Sequence, residues 1–219
     1  RRAQRRTHAL RTVVQAGADN TVEVHIAMST PRLREDLITY KIYPNGRLYV
    51  YHSAVPKQDM LRFGFQMTLP GSYEYVNWYG RGPHPSYRDR KTGAALGRYQ
   101  STVTALEHRY MRPQESSNRT DTYDLYLCDS HGEGFRVQAY YETPFAFSAY
   151  HYTTMGLDKA AHIHEIPYDP SLTTLNIDGA QCGVGGDLPG QGAVRAPYRV
   201  TAGEKCSYAF ILEPMHKKK

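Results

Sequence analysis

The chain has 219 residues, 40% of them hydrophobic and 22% charged, which suits one large globular domain. Its net charge of +6 does not mark a nucleic-acid binder: eight of the 27 Lys and Arg (Arg1, Arg2, Arg5, Arg6, Arg11, Lys217, Lys218, Lys219) crowd the ends, leaving 19 against 21 acidic residues. The odd set Cys128, Cys182 and Cys206 argues against a disulfide framework, and no apolar run approaches the roughly 18 residues of a membrane span.

Alternation of apolar and polar residues predicts strands over 12–15 and 21–28, around the turn residues Gly17, Asp19 and Asn20. Strands 37–43 and 47–52 flank Pro44-Asn45-Gly46, a strong hairpin signal. Strand 62–69 stops at Pro70-Gly71, and 73–79 follows. The stretch from Gly80 to Arg90 holds Gly80, Gly82, Pro83 and Pro85 and reads as an irregular loop. Strands 122–128 and 135–141 form a second hairpin around Ser130-His131-Gly132, and further strands fall at 173–178, 198–200 and 206–212. One short helix is expected after Thr153-Thr154, with Leu157, Ala160, Ala161 and His164 on one face and Pro167 ending it. Many strands and one short helix make an all-β, large antiparallel sandwich the natural architecture.

Three loops carry the polar side chains of interest. The first runs Trp78-Tyr79-Gly80-Arg81-Gly82-Pro83-His84-Pro85-Ser86-Tyr87-Arg88-Asp89-Arg90-Lys91. Its glycines and prolines fix a path that presents Arg81, His84, Tyr87, Asp89 and Arg90, as an interface loop does; the alternative is a loop packed on its own domain. The second is Arg112 to Asp121, in which Gln114, Glu115, Asn118 and Arg119 offer the amide, carboxylate and guanidinium groups that hydrogen-bond sugar hydroxyls. The third, Asn176 to Asp187, is rich in glycine but lacks the Gly-Lys-Ser/Thr ending of a phosphate loop. His162 and His164 diverge if helical, and no third ligand stands at metal spacing. No Gly-x-Ser-x-Gly elbow is present.

Taken together these segments resemble the C-terminal, "small chain" domain of the β-galactosidases of glycoside hydrolase family 2. The matching pieces are Trp78-Tyr79-Gly80-Arg81-Gly82-Pro83-His84 with Tyr87 and Asp89-Arg90-Lys91, and Tyr110-Met111-Arg112-Pro113-Gln114-Glu115 with Asn118-Arg119-Thr120-Asp121. Pro144-Phe145-Ala146-Phe147-Ser148-Ala149, His162-Ile163-His164-Glu165, and Leu175-Asn176-Ile177-Asp178 running into Gly183-Val184-Gly185-Gly186-Asp187 complete the set. The resemblance covers Leu61 to the end, and the strands before it fit more loosely.

The resemblance implies a galactose-mutarotase-like supersandwich that packs on a catalytic barrel and walls its active site. Gln114, Glu115, Asn118, Arg119, Asp187 and Gly190 then fall at the substrate rim. The catalytic glutamates lie in the barrel, so no catalytic residue is expected in this chain, and Glu115 with Asp187 is not read as the acid–nucleophile pair. The whole enzyme would be a homo-oligomer acting on terminal β-galactosides, with magnesium and sodium or potassium ions bound elsewhere and no cofactor in this chain. No nucleic-acid or membrane partner is expected, and a cytoplasmic location is preferred to a periplasmic one. Two departures stand out. The family's opening Phe-Trp-Arg-Ala-Pro-Thr-Asp-Asn-Asp stretch does not precede Arg1, so residues 1–219 read as a single domain lacking its first strands. Gly190 occupies the place where many members carry a sugar-stacking Trp. The rival readings are a free-standing carbohydrate-binding module, a separately encoded small subunit, or a mutarotase-like epimerase drawing on His84, His151 and Glu115.

Overall fold

The structure is a computed structural model that describes residues 7–141, 143–186 and 193–215. Among them, thirteen strands form two antiparallel sheets. The strands are β1 (His8–Ala16), β2 (Val22–Ser29), β3 (Leu33–Ile42), β4 (Leu48–Pro56), β5 (Arg62–Pro70), β6 (Tyr75–Gly82) and β7 (Ala95–Thr102). They continue with β8 (Arg119–Thr122), β9 (Asp124–Cys128), β10 (Gly134–Ala139), β11 (Phe145–Tyr150), β12 (Leu172–Gln181) and β13 (Cys206–Met215). The large sheet has the order β1-β2-β3-β4-β13-β10-β9-β6-β7, and the small one β5-β12-β11-β8. The sandwich expected from the sequence is therefore present.

Both expected hairpins form where their turn residues stand. Gly46 takes φ +83° between β3 and β4, a conformation glycine adopts without penalty. Gly132 does the same between β9 and β10, where the Asp129 carboxylate accepts hydrogen bonds from the His131 and Glu133 amides at 2.8 and 3.0 Å.

Four local expectations differ. β11 is buried at every position, so its sequence Phe-Ala-Phe-Ser-Ala-Tyr shows no alternation to read. β7 is an edge strand with half its residues exposed and none buried, and its sequence alternates little. Residues 198–200 are not a strand: Ala196–Tyr198 is a 3-10 turn, and only Val200 bridges, to Met60. The expected helix (Thr154–Lys159) is shorter than its apolar pattern, with Ala160 as its C-cap. The Glu165 carboxylate takes the Ala161 and His162 amides at 2.8 and 3.3 Å, which draws those residues out of the helix, and a separate 3-10 turn follows at Ile163–Glu165.

The core lies where the small sheet covers the middle of the large one. Phe63, Phe147, Leu175 and Ile177 of the small sheet meet Val50, Trp78, Leu125, Val137 and Phe210 of the large sheet. Trp78 and Phe147 cross edge to face, with ring centroids 5.7 Å apart. Each such buried side chain contributes about 1.5–3 kcal/mol. No residue of β1 or β2 belongs to this core, and Leu10, Val14 and Leu37 stay exposed.

The strands of the small sheet are two-faced. Phe63, Phe65, Met67 and Leu69 of β5 point into the sandwich, so Arg62, Gly64 and Gln66 point out. Register places Gly64 beside Asp178, and Gln66 beside Asn176, which in turn lies beside Ser148. A polar row thus crosses the outer face of the sheet.

Candidate functional site

The first two loops fold against each other at one end of the sandwich. Asn118 is fully buried and exchanges hydrogen bonds with Ser86: its Nδ2 donates to the Ser86 carbonyl, and the Ser86 amide donates to the Asn118 carbonyl, both at 2.8 Å. Arg119 is 3% exposed. Its Nη1 donates to the carbonyls of Ser117 at 2.6 Å and Leu106 at 3.2 Å, and its Nη2 to that of Pro83 at 3.1 Å. The guanidinium also sits 5.8 Å from the Trp78 ring centroid. Burial brings Arg119 down to about 10, so it remains a cation at neutral pH. Asp121 collects Arg81 Nε at 2.6 Å and Lys91 Nζ at 2.8 Å, and Arg81 Nη1 donates onward to the Ala94 carbonyl at 2.8 Å. Burial opposes ionisation of Asp121, but the bonds from Lys91 and Arg81 outweigh it and hold the carboxyl below its usual range.

The same loop holds the glycine turn. The Asp89 carboxylate accepts from the Val184 amide at 3.1 Å and the Gly185 amide at 2.8 Å. A Cβ on Gly183 would strike the Asp89 carboxylate, and one on Gly185 would strike the Arg90 guanidinium. The glycines let the Asp89 carboxylate reach the backbone amides and leave room for the Arg90 guanidinium against Gly185. Tyr87 is buried and donates its hydroxyl to the Glu115 carbonyl at 3.3 Å. His84 and Gln114 are exposed, and Asp187 and Gly190 lie outside the described residues.

Glu115 links this corner to the polar row. Arg62 Nη2 donates to Glu115 Oε1 at 3.1 Å, and Arg62 Nε lies 2.9 Å from Asp178 Oδ2. Asp178 is 1% exposed, and neither of its oxygens receives an aligned hydrogen bond among the described residues. Burial lifts its carboxyl to about 7, and Arg62 offsets only part of that rise. Burial disfavours the Arg62 cation, yet Asp178 and Glu115 more than offset this and keep it charged. Gly64 makes the arrangement possible, because a Cβ there would collide with the Asp178 carboxylate. Further along, Gln66 Nε2 donates to Asn176 Oδ1 at 2.7 Å and Thr154 Oγ1 at 2.6 Å, while Asn176 Nδ2 donates to Ser148 and Tyr150. These residues floor a cleft of about 490 Å³, closed on its other side by Thr153, Met155 and Asp158.

Arg62 and Gln66 stand in none of the three motifs, and Asn176 and Asp178, which open the third, lie on strand β12 and not in a loop. The signal was available in the strands: β5 and β12 alternate apolar residues with polar ones on the face away from the core. His151 has both ring nitrogens engaged, Nε2 lying 2.7 Å from Glu74 Oε2 and Nδ1 2.8 Å from the Leu172 carbonyl. The His162 and His164 rings stack in parallel 5.6 Å apart. Among the described residues no group of three His, Cys, Asp or Glu is placed to hold a metal ion.

The sequence model of the family described as "Beta galactosidase small chain" matches residues 1–212, reaching forward of Leu61 over the first strands as well. A β-galactosidase of Priestia megaterium is 29% identical over 219 residues, covering 98% of this chain and 21% of that protein. One from Halalkalibacterium halodurans is 33% identical, covering 79% and 18%, and one from Vibrio cholerae is 36% identical, covering 68% and 14%. The chain spans about a fifth or less of the length of these relatives. A galactose mutarotase-like protein from Lactobacillus casei superposes with a TM-score of 0.43 at 13% identity, over 93% of this chain and 73% of that one.

Proposed function

This chain belongs to the β-galactosidase small chain family, and on that premise we propose that it packs on the catalytic barrel of a bacterial β-galactosidase and walls its active site. The whole enzyme hydrolyses terminal β-galactosides with retention, as a homo-oligomer in the cytoplasm. The observation that carries this reading is the Asp89–Arg90 cradle around Gly183 and Gly185. A loop fixed this firmly on a rigid sandwich suits a face that packs on another domain.

Chemistry is assigned to the barrel for a physical reason. A retaining glycosidase needs an acid and a nucleophilic carboxylate about 5–5.5 Å apart, both reaching the glycosidic bond. Here Arg62 holds both Glu115 and Asp178, and the Asp178 oxygens are shut away from solvent. Neither is placed to attack a sugar. The purified chain is expected to show no turnover of a chromogenic β-galactoside above a blank. Turnover that vanishes in Glu115→Gln would overturn the assignment. In the full-length parent enzyme, Asp89→Ala is expected to raise KM more than it lowers kcat, since it loosens a wall and leaves the reacting carboxylates in place.

A further inference from the structure

The two sheets do not end together. Phe63 of β5 stacks on His52 of β4 with ring centroids 4.4 Å apart, and Phe65 meets Phe210 of β13 edge to face at 5.9 Å, so β5 lies over β4 and β13. β5 is the edge of the small sheet, while the large sheet runs on past β4 through β3, β2 and β1. An overhang of three strands, about 14 Å at the usual strand spacing, is left without a covering layer among the described residues. Its inner face continues the core. Register carries one row from Val50 to Tyr40, Val24 and Val14, and the next from Leu48 to Ile42, Val22 and Ala16. Exposure rises along these rows: Val50 is 2% exposed, Ile42 44%, Val22 40% and Val14 65%. The opposite face of the same strands is largely polar and satisfies itself. Gln15 Nε2 donates to Glu23 at 3.2 Å, Lys41 Nζ lies 3.6 Å from the same carboxylate, and His25 Nδ1 lies 3.1 Å from Thr39 Oγ1.

We propose that an extended polypeptide segment from outside these 219 residues pairs with the open edge of β5 and lays alternate apolar side chains on this overhang. The edge selects a strand over a helix, because only an extended chain meets a row of unpaired N–H and C=O groups. Nothing in β5 guards that edge: from Phe63 to Leu69 it has no proline and no charged residue, and Phe65, Met67 and Leu69 are only partly buried. The two-residue period of a strand puts every second side chain down on Tyr40, Val24 and Ile42, and the others beside the polar outer row of Arg62 and Gln66. The occupant is therefore a segment in which apolar and polar residues alternate. A second copy does not fit through the same edge. Two copies joined β5 to β5 about a twofold axis would each thrust β1–β3 into the layer of the partner's large sheet. The proposal rests on the family reading in one respect: the chain spans 21% of its Priestia megaterium relative, so other parts of a parent protein can supply the strand.

The test is titration of the 219-residue chain with the alternating peptide acetyl-Lys-Val-Thr-Ile-Glu-Val-Thr-Ile-Lys-amide, followed by residue-resolved amide exchange. Saturation with a Kd of about 1 mM or tighter is expected, with every second amide between Phe63 and Leu69 slowed about tenfold or more. Ile42→Lys, at an exposed position of the overhang, should weaken binding by about tenfold, since its ammonium would lie under the added strand. Leu37→Lys, on the opposite face and 46% exposed, should leave binding unchanged. No slowing on β5 up to about 1 mM peptide, or slowing that Ile42→Lys leaves unchanged, would overturn the proposal. Slowing on β5 that appears without peptide and grows with protein concentration would give the edge to a second copy and overturn it equally. Each of these results would leave the role at the barrel untouched, because that role rests on activity of the parent enzyme.

Discussion

Arg119 and Arg62 are both largely enclosed arginines at the same end of the sandwich, and they sit in opposite kinds of surroundings. Arg119 has no carboxylate beside it and spends its terminal nitrogens on three backbone carbonyls, pinning Pro83, Leu106 and Ser117 to one another. Arg62 has two carboxyl partners, and one of them, Asp178, is left without aligned donors beneath a cleft. The first cluster closes on itself and works as a clamp for loops. The second lies open to the cleft. Arg119 Nε and Asn118 Oδ1 are also left without partners among the described residues, so what separates the two clusters is the buried carboxylate beside Arg62, which Arg119 lacks.

The largest effect is expected at the Arg119 clamp. Arg119→Met keeps the side chain's length but leaves the buried Leu106 and Ser117 carbonyls without their donor. It should cost about 3 kcal/mol, the sum of two or three charge-assisted hydrogen bonds. Urea unfolding measures this directly. A loss under about 1 kcal/mol would mean that the clamp is not what holds the loops.

The next effect is a pH dependence confined to the open cluster. Asp178 is lifted to about 7 in the folded chain, above the carboxylate range of the unfolded one. The folded state therefore holds its proton more tightly, and stability falls as pH rises from about 4 towards 7. Arg62, Glu115 and Tyr208 are the charged and titratable groups packed around it, and of these Arg62 works against the shift. Relative to Asp178→Asn, the wild-type chain should lose on the order of 2–3 kcal/mol between pH 5 and pH 8. Guanidinium unfolding at both pH values reads the difference. Parallel profiles for the two proteins would show that Asp178 is ionised throughout and that the contrast with Arg119 is smaller than drawn.

The sequence made one cluster legible and hid the other. Asn118, Arg119, Arg81 and Asp89 stand in loops whose glycines and prolines announce a fixed path, so they could be singled out without coordinates. Their partners could not, because Ser86, Leu106 and Val184 are reached through backbone atoms that carry no side-chain signature. Arg62 and Asp178 are 116 positions apart and meet only through the β5–β12 register. The hairpins were readable from Asn45-Gly46 and Gly132, and β11 was not, since a strand buried on both faces loses its period.

The smallest effect on stability belongs to β1, where the unsatisfied groups are apolar side chains and an open backbone edge. β1 is the outermost strand of the large sheet among the described residues, and Leu10 and Val14 are 66% and 65% exposed. An exposed apolar edge strand is a template for pairing with a second chain. The isolated chain is therefore expected to self-associate through β1. Val14→Lys adds a charge to that edge and removes no buried contact, so folding stability should change by no more than about 0.5 kcal/mol. Association should nevertheless weaken severalfold, since a lysine on each of two paired edges must be desolvated beside its own kind. Light scattering across a wide concentration range tests both halves. A wild-type chain that stays strictly monomeric would show that twist or the neighbouring residues already guard the edge. Association that Val14→Lys leaves unchanged would move the contact elsewhere, with the open edge of β5 beside the cleft as the next surface to test.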